Sequence, residues 1–382
     1  MNQKGLFRLF ALMLTMATTA TWISAAESNF SLPKQPPVQI LADENTILNG
    51  VPIKAVILDP TPSLAPRKIP AQVNLATAAQ TATSSFEITY IASGGSDLWG
   101  EPCYTFPEEA KAAFYAAADI WANILVSDVP IAIEACWATL DSASTLGYAG
   151  GQPLQYNFPE AISNTTVYVG SLANALVGSD LSPDPDMHIT YNSSFDWYYG
   201  TDGNTPSDQV DLVTVVLHEI AHGLNFSGSM SYSSGNGSWG YGVSYPNIFD
   251  VFIQDGSANQ LINTSSYSNP SIALGTALTS DNLWFHGTKA MEANGGQPVK
   301  IYAPSSWAPG SSYAHLDYTT FNNTVNQLMI YVVSQGESVH DPGAVTRGLL
   351  QDLGWPTATS SSSTPSIVPL LMPLLLSEPI TF

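Results

Sequence analysis

The chain has 382 residues, 45% of them hydrophobic and only 11% charged, with 31 acidic against 10 basic side chains for a formal charge of −21. That length suits two or three domains, or one large domain with extensions. A surface so acidic repels nucleic acid and anionic lipid and favours solubility, which argues against polyanion binding and says nothing direct about catalysis.

At the N-terminus, Lys4 and Arg8 flank the start of the apolar run "LFALMLTMATTATWISAA", which closes on the small residues Ser24, Ala25 and Ala26. This is the pattern of a secretory signal peptide cleaved after Ala26; a membrane anchor is the rival, but threonines thin the run and Pro-rich sequence follows. Losing Lys4 and Arg8, the only charged residues of the segment, takes the net charge from −21 to −23. The expected location is therefore extracellular, where the two cysteines, Cys103 and Cys136, form one disulfide.

Residues 27–85 carry "LPKQPPVQ" and "DPTPSLAPRKIP", which cannot form long helices and read as an extended leader, propeptide or plain linker. "SFEITYIASGG" then alternates like a strand, and the main domain is expected to start at residue 86. "TFPEEAKAAFYAAADIWANILVS" predicts a helix capped by Thr105, with Pro107 and the acidic pair Glu108 and Glu109 in its first turn. Its apolar stripe is Ala113, Phe114, Ala117, Ile120, Trp121 and Ile124. "VPIAIEACWATL" predicts a strand, "GYAGG" a Gly-rich turn, and "TTVYVG" and "MHITYNSS" two more strands. Between the last two, the acidic loop "GSDLSPDPD" could bind calcium, although such carboxylates are more often just solvated. "SFDWYYGTDG" either walls a cleft or packs the domain. After a long helix at 208–224 the chain turns loop-rich to about residue 312. "DPGAVTRGLLQDLGW" predicts a terminal helix with Asp341 as cap, Pro342 in the first position and Gly354 as stop. Residues 357–382 form a Ser/Thr linker and the short tail "IVPLLMPLLL", too short to span a bilayer; attachment at a cell surface is one use for it. The chain is expected to be a monomer.

The chemistry lies in "DLVTVVLHEIAHGLNFSG", residues 211–228. His218 and His222 are four apart, so a helix stacks them on one face, where two imidazoles grip one Zn²⁺ and leave room for a third protein ligand and a water. Glu219, about 100° round the axis, reaches that water as general base. Exposed helices carry such patterns by chance. This one is flanked by Val210, Leu212, Val213, Val215, Val216, Leu217 and Ile220, so it must be buried, and a buried His-Glu-His cluster without a partner is costly. A metal removes that cost.

"HEIAHGLNF", followed much later by "YAHLDY", "NQLMIY" and "GLLQDLGW", resembles the metzincin zinc endopeptidases, and most of all the leishmanolysin-like secreted enzymes and related bacterial proteins. The resemblance covers roughly residues 86–356. It implies an α+β zincin fold: a twisted mixed sheet with long helices, an active-site helix carrying the motif, and a loop-rich C-terminal subdomain ending in a helix. It further implies one catalytic zinc, hydrolysis of protein or peptide substrates, and substrate bound as a strand along a sheet edge, here "DMHITYNSS". The sequence departs from the usual pattern twice. Asn225 stands where a glycine is usual, and it too can adopt the left-handed turn. Gly228 stands where the third histidine is usual, and it cannot bind metal.

The third ligand must come from elsewhere, as in the leishmanolysin-like group. His315 is favoured because it precedes Met329 by the distance expected if Met329 is the Met-turn residue beneath the zinc, although a lone Met is often only core filler. His286, His340 and His188 are the other histidines in play, and a carboxylate from Asp250 or Glu292 would imply a different ligand set. Tyr331 matches a tyrosine that some metzincins use to stabilise the transition state. Asp317 either orients His315 or sits in a surface turn. Two other functions stay open: a zinc-bearing surface or adhesion protein without hydrolysis, and a zinc hydrolase of a non-peptide amide or ester.

Overall fold

The computed structural model describes residues 38–40, 54–58, 66–73, 82–241 and 244–358. The expected signal segment 1–26, most of the leader and the tail from 359 onwards lie outside the described residues. What is described is a mixed α+β fold around one six-stranded mixed sheet. Its strands are β1 (Lys54–Leu58), β2 (Phe86–Tyr90), β3 (Ile131–Ala138), β4 (Thr145–Gly151), β5 (Met187–Asn192) and β6 (Val332–Val333), in the order β6-β1-β4-β5-β3-β2. All run the same way except β4, which is antiparallel to both β1 and β5.

Two expectations fail in this sheet. "DMHITYNSS" is not an edge: β5 lies between β4 and β3, and all six of its residues are buried. The expected turn "GYAGG" is the end of β4. Its glycines answer a packing demand rather than a turn. A Cβ on Gly147 would sit 3.0 Å from the Thr190 carbonyl oxygen, and one on Gly151 would strike Val169 and approach the Gly223 carbonyl oxygen at 3.2 Å. Only glycine lets the neighbouring backbones come so close.

Three helices carry the core. α1 (Glu108–Ala122) buries Ala113, Phe114, Ala117, Ile120 and Trp121 of the predicted stripe, whereas Ile124 lies past the helix end and is half-buried. Pro107 rather than Thr105 is its N-cap, and no side chain caps it. α2 (Leu212–Gly223) is buried along its whole length and capped by Asp211, which accepts from the Thr214 N–H at 2.7 Å. α3 (Gly343–Leu353) starts after Pro342, draws the Gly343 N–H onto Asp341 at 3.0 Å, and ends at Gly354 in a left-handed conformation. Two indoles lock these helices together: Trp121 donates to the Leu217 carbonyl at 3.0 Å, and Trp355 to the Leu224 carbonyl at 2.8 Å. Truncating the fully buried Trp121 would cost about 3–5 kcal/mol.

A short helix, Gly170–Val177, follows Tyr168–Val169 directly where only a strand was expected. Cys103 and Cys136 are bonded, as expected, joining the loop before α1 to β3 across 33 residues. In the chain-entropy picture a loop of that size is worth about 3–4 kcal/mol. Residues 224–340 are built from short pieces: a hairpin at Ser231–Ser233 and Asn236–Ser238, a three-stranded sheet (Ile253–Asp255, Leu283–Phe285, Val299–Ile301) and several helices of four to seven residues. The leader takes part as well. Besides β1, Val38–Ile40 pairs with Leu154–Tyr156 and Lys68–Ile69 with Ser338–Val339 in two smaller sheets, so the fold draws on residues ahead of the expected start at 86. Among the described residues no helix is long and apolar enough to cross a membrane.

Candidate metal centre

α2 turns His218 and His222 toward one point, as their spacing requires, and the loop before Tyr318–Phe321 brings His315 to the same point. The three Nε2 atoms lie 3.1–3.2 Å from one another, and all three residues are at most 1% exposed. Among the described residues this is the group of three metal-capable side chains that converges.

Each ring is oriented from behind by a backbone carbonyl. His218 Nδ1 donates to Leu328 at 2.7 Å, His222 Nδ1 to Phe226 at 2.8 Å, and His315 Nδ1 to Ser311 at 2.7 Å. A carbonyl only accepts, so each Nδ1 carries the proton and each neutral ring points an Nε2 lone pair into the centre. Three lone pairs at this spacing repel one another unless a cation sits between them. A proton shared among the rings is a poor substitute, because burial pushes His218 down from 6.5 to about 4. Tetrahedral zinc with bonds of about 2.0–2.1 Å spaces its nitrogen ligands by about 3.3 Å, so the observed triangle fits it closely. The donor set and the carbonyls behind it both match a zinc site.

Glu219 follows His218 on α2 and is fully buried. A Cβ on Gly147 would lie 3.6 Å from Glu219 Oε1, so glycine at that position of β4 keeps open the space beside the carboxylate. Tyr191 of β5 is its neighbour: burial first, and then the charge of Glu219, hold the phenol well above its ordinary range.

The chain leaves α2 through Asn225, whose φ of 80° is the expected left-handed turn. Its Oδ1 accepts from the Val169 N–H at 3.0 Å and its Nδ2 donates to Asn247 at 2.7 Å. Gly228 has no room for any side chain, since a Cβ there would collide with Asp250 and Tyr313. Gly228 is therefore packed shut by Asp250 and by Tyr313 of the loop that delivers His315.

Apart from His286, the competing residues have other occupations. His188 pairs with Glu134 at 3.0 Å, and His340 pairs with the helix-capping Asp211 at 2.9 Å. His286 lies apart from the cluster, with its backbone N–H on the Phe252 carbonyl. Asp250 is buried in a network with Ser229, Asn247 and Tyr313, and Glu292 pairs with Lys289 at the surface. Asp317 does not orient His315. It caps Tyr318–Phe321 by accepting from the Thr320 N–H, and it faces Lys300 at 3.7 Å.

Met329 ends the 3-10 turn Gln327–Met329 and is fully buried. Its carbonyl accepts from the Leu316 N–H at 2.8 Å, directly after His315. Tyr331 stacks on Tyr302 at 4.2 Å between ring centres and borders Tyr318. In the candidate calcium loop, Asp180 accepts from the Ser182 N–H, Asp184 from the Ser182 hydroxyl, and Asp186 from the Ala132 N–H and Asn174. "SFDWYYGTDG" packs the domain through the buried Trp197, whose ring meets Trp137 at 6.0 Å. Sequence reasoning missed the three carbonyls behind the histidines, which any residue type supplies. It also missed Gly147, whose signal was read as a turn.

No curated protein and no solved structure matches the chain. Residues 179–237 match the family described as SPBPB7E8-like. That likeness takes in β5, α2 and the His218, Glu219 and His222 motif, and stops short of His315 and Met329.

Proposed function

We propose that this chain is a secreted zinc endopeptidase of the metzincin type, with His218, His222 and His315 as protein ligands of one Zn²⁺ and Glu219 as general base. The carrying observation is the convergence of three buried Nε2 lone pairs, each fixed by a carbonyl bond at Nδ1. Supporting it are the left-handed exit from the helix at Asn225 and the turn at Met329 bonded through its carbonyl to the Leu316 N–H beside His315. His218, His222 and His315 would hold the zinc, which would supply Lewis acidity toward a peptide carbonyl and bring the ionisation of water near neutral pH.

The remaining work falls to the chain itself. The carbonyls of Leu328, Phe226 and Ser311 hold the rings in the ligating tautomer and prevent them from turning away. Glu219 is rigidly placed on a buried helix; it takes the proton of the attacking water and returns it to the leaving amine. Its burial excludes bulk water and strengthens the base's interaction with that proton. Tyr331, stacked on Tyr302, is not needed for this scheme.

Metal analysis and a peptidase assay on the same preparation test the proposal. One zinc per chain is expected. Glu219→Gln should retain that zinc while turnover falls by about 10²–10⁴-fold, the usual worth of a general base. Protein that takes up no zinc overturns the metal reading. A zinc-loaded chain that cleaves no peptide bond, either intact or after limited proteolysis of the leader, overturns the peptidase reading in favour of an adhesive role or of a non-peptide amide or ester.

A further inference from the structure

We propose that Tyr191 is a positioning residue for Glu219, its hydroxyl joined to the carboxylate through one enclosed water. Strand alternation sets Tyr191 on the right face of the sheet. Met187, Ile189 and Tyr191 of β5 share that face, and α2 covers it, since a Cβ on Gly223 would strike the Met187 sulfur. Gly147 of β4 stands opposite Tyr191 in the ladder. A Cβ there would lie 3.3 Å from Tyr191 Cδ1 and 3.6 Å from Glu219 Oε1. The ring, the carboxylate and a bare stretch of backbone therefore border the same small space.

Packing accounts for the ring but not for its hydroxyl. The ring meets Phe114 at 5.8 Å and Phe106 at 6.1 Å, both edge to face, and Trp137 at 6.4 Å. Phenylalanine would keep every one of these contacts. The hydroxyl is fully buried and has no hydrogen-bond partner among the described residues. Folded proteins leave few groups in that state, because a buried donor without a partner forfeits the bonds it makes in water. Apart from burial itself, the charge of Glu219 bears on the phenol first and that of Tyr90 second. Glu219 is thus the carboxylate that the hydroxyl serves. No direct bond joins the two, so one water is the smallest bridge; a buried water needs polar partners on more than one side, and these side chains supply them.

Bonded in this way, the carboxylate does not swing about its last torsion, and its other oxygen stays aimed at the attacking water. A general base gains rate by being held where the proton leaves. The chain then applies to its base the device it uses for its three histidines, each of which is fixed by a carbonyl. The effect on turnover rests on the proposed function, whereas the link between Tyr191 and Glu219 does not, and the test separates them.

Tyr191→Phe removes the hydroxyl and keeps the ring. In zinc-stripped full-length protein it should raise the unfolding equilibrium constant by about tenfold, the worth of one hydrogen bond to a charged group. A hydroxyl that truly lacked a partner gives the opposite sign, because phenylalanine relieves a stranded polar group. An unchanged or lowered constant therefore overturns the inference. The same substitution beside Glu219→Met, which keeps the side-chain length without its oxygens, should lose the effect. A full tenfold there means that the partner lies elsewhere, and it too overturns the link. Should either variant not fold, a crystal structure of the unaltered chain decides: an ordered water within about 3 Å of both Tyr191 Oη and a Glu219 oxygen supports the link, and a dry gap overturns it. On zinc-loaded protein with a quenched peptide, Tyr191→Phe should lower kcat by about tenfold or more, with KM and zinc content unchanged. An unaltered kcat overturns the positioning role. No cleavage by the parent protein overturns the peptidase reading, and the positioning role falls with it, while the unfolding measurements still decide the link.

Discussion

The candidate centre is assembled from two regions that achieve the same precision by different means. His218, Glu219 and His222 stand on one helix, where 3.6-residue periodicity sets their spacing before any tertiary contact forms. His315 stands in a loop with no such template. Its place is fixed by bonds to separate stretches of chain: its Nδ1 to Ser311, its carbonyl to the Tyr302 N–H at 2.8 Å, its neighbour Leu316 to Met329, and Tyr313 to Asp250 at 2.8 Å. Tyr313 accepts a φ of 71°, in the left-handed region a bulky residue avoids, and the surrounding bonds hold it there. A helix places ligands through local geometry, whereas a loop has to be over-determined to do as well.

Removing the proposed loop ligand gives the largest effect. His315→Ala leaves the helical pair and its carbonyls untouched, yet should weaken zinc affinity by more than about a hundredfold, since the loss of a mere outer partner already costs about 10–100-fold. Chelator competition measures it, and the metal-free protein should melt almost as before. An unchanged zinc affinity would mean that the loop contributes no ligand, and the two regions would no longer form one site. The next probe leaves every ligand in place and attacks the loop's support. Asp250→Ala strands the Ser229 and Asn247 N–H groups and the Tyr313 hydroxyl in a fully buried place, at about 3 kcal/mol or more by denaturant unfolding. Zinc affinity should fall with it, because Asp250 fixes Tyr313, two residues before His315.

The same contrast governs what could be read ahead of the structure. The shared buried helix of His218, Glu219 and His222, the stripe of α1 up to Trp121 and the left-handed Asn225 follow from local pattern, and the structure bears them out. His315 was favoured only through resemblance and its distance from Met329, because a ligand arriving from 93 residues beyond His222 leaves no periodic trace. The sheet order was not legible at all. β5 was read as an edge and β4 as a turn, since strand neighbours depend on long-range pairing and since glycines required by close packing resemble those required by turns. Asp317 beside His315 suggested an orienting role, and its carboxylate proved to be spent on a helix cap. The Pro-rich leader disguised β1, whose partners lie about ninety and about two hundred and seventy residues away.

The acid limit of the helical half is a third test. In the metal-free chain, burial holds His218 at about 4, below its ordinary 6.5, so between these values the unfolded chain binds a proton that the folded one does not. Stability from this group is fully present above about pH 6.5 and is lost as the pH falls toward 4, by up to about 3 kcal/mol. Denaturant midpoints of zinc-stripped protein across that window check it, and His218→Asn should flatten the slope. A flat wild-type profile would show that the ring is solvated and that the helical half is looser than its burial implies.

The smallest effect concerns the hinge between the two regions. Asn225→Gly relieves the left-handed backbone, a gain of about 1 kcal/mol at most. Against it stand the Val169 N–H, left unsatisfied in a fully buried place at about 1–3 kcal/mol, and the lost bond to Asn247. Glycine also loosens the unfolded chain by about 0.5–1 kcal/mol. The losses exceed the gain, so Asn225→Gly should destabilise by about 1–2 kcal/mol, with a matching fall in melting temperature. Zinc affinity should barely move, because the Phe226 N–H remains on the Ala221 carbonyl at 3.0 Å and keeps the Phe226 carbonyl behind His222. A stabilised variant would mean that backbone strain outweighs the side-chain bonds and that asparagine stands here for a reason other than stability. A destabilised variant with intact metal binding would show that the helix carries its pair of ligands without help from the turn that follows.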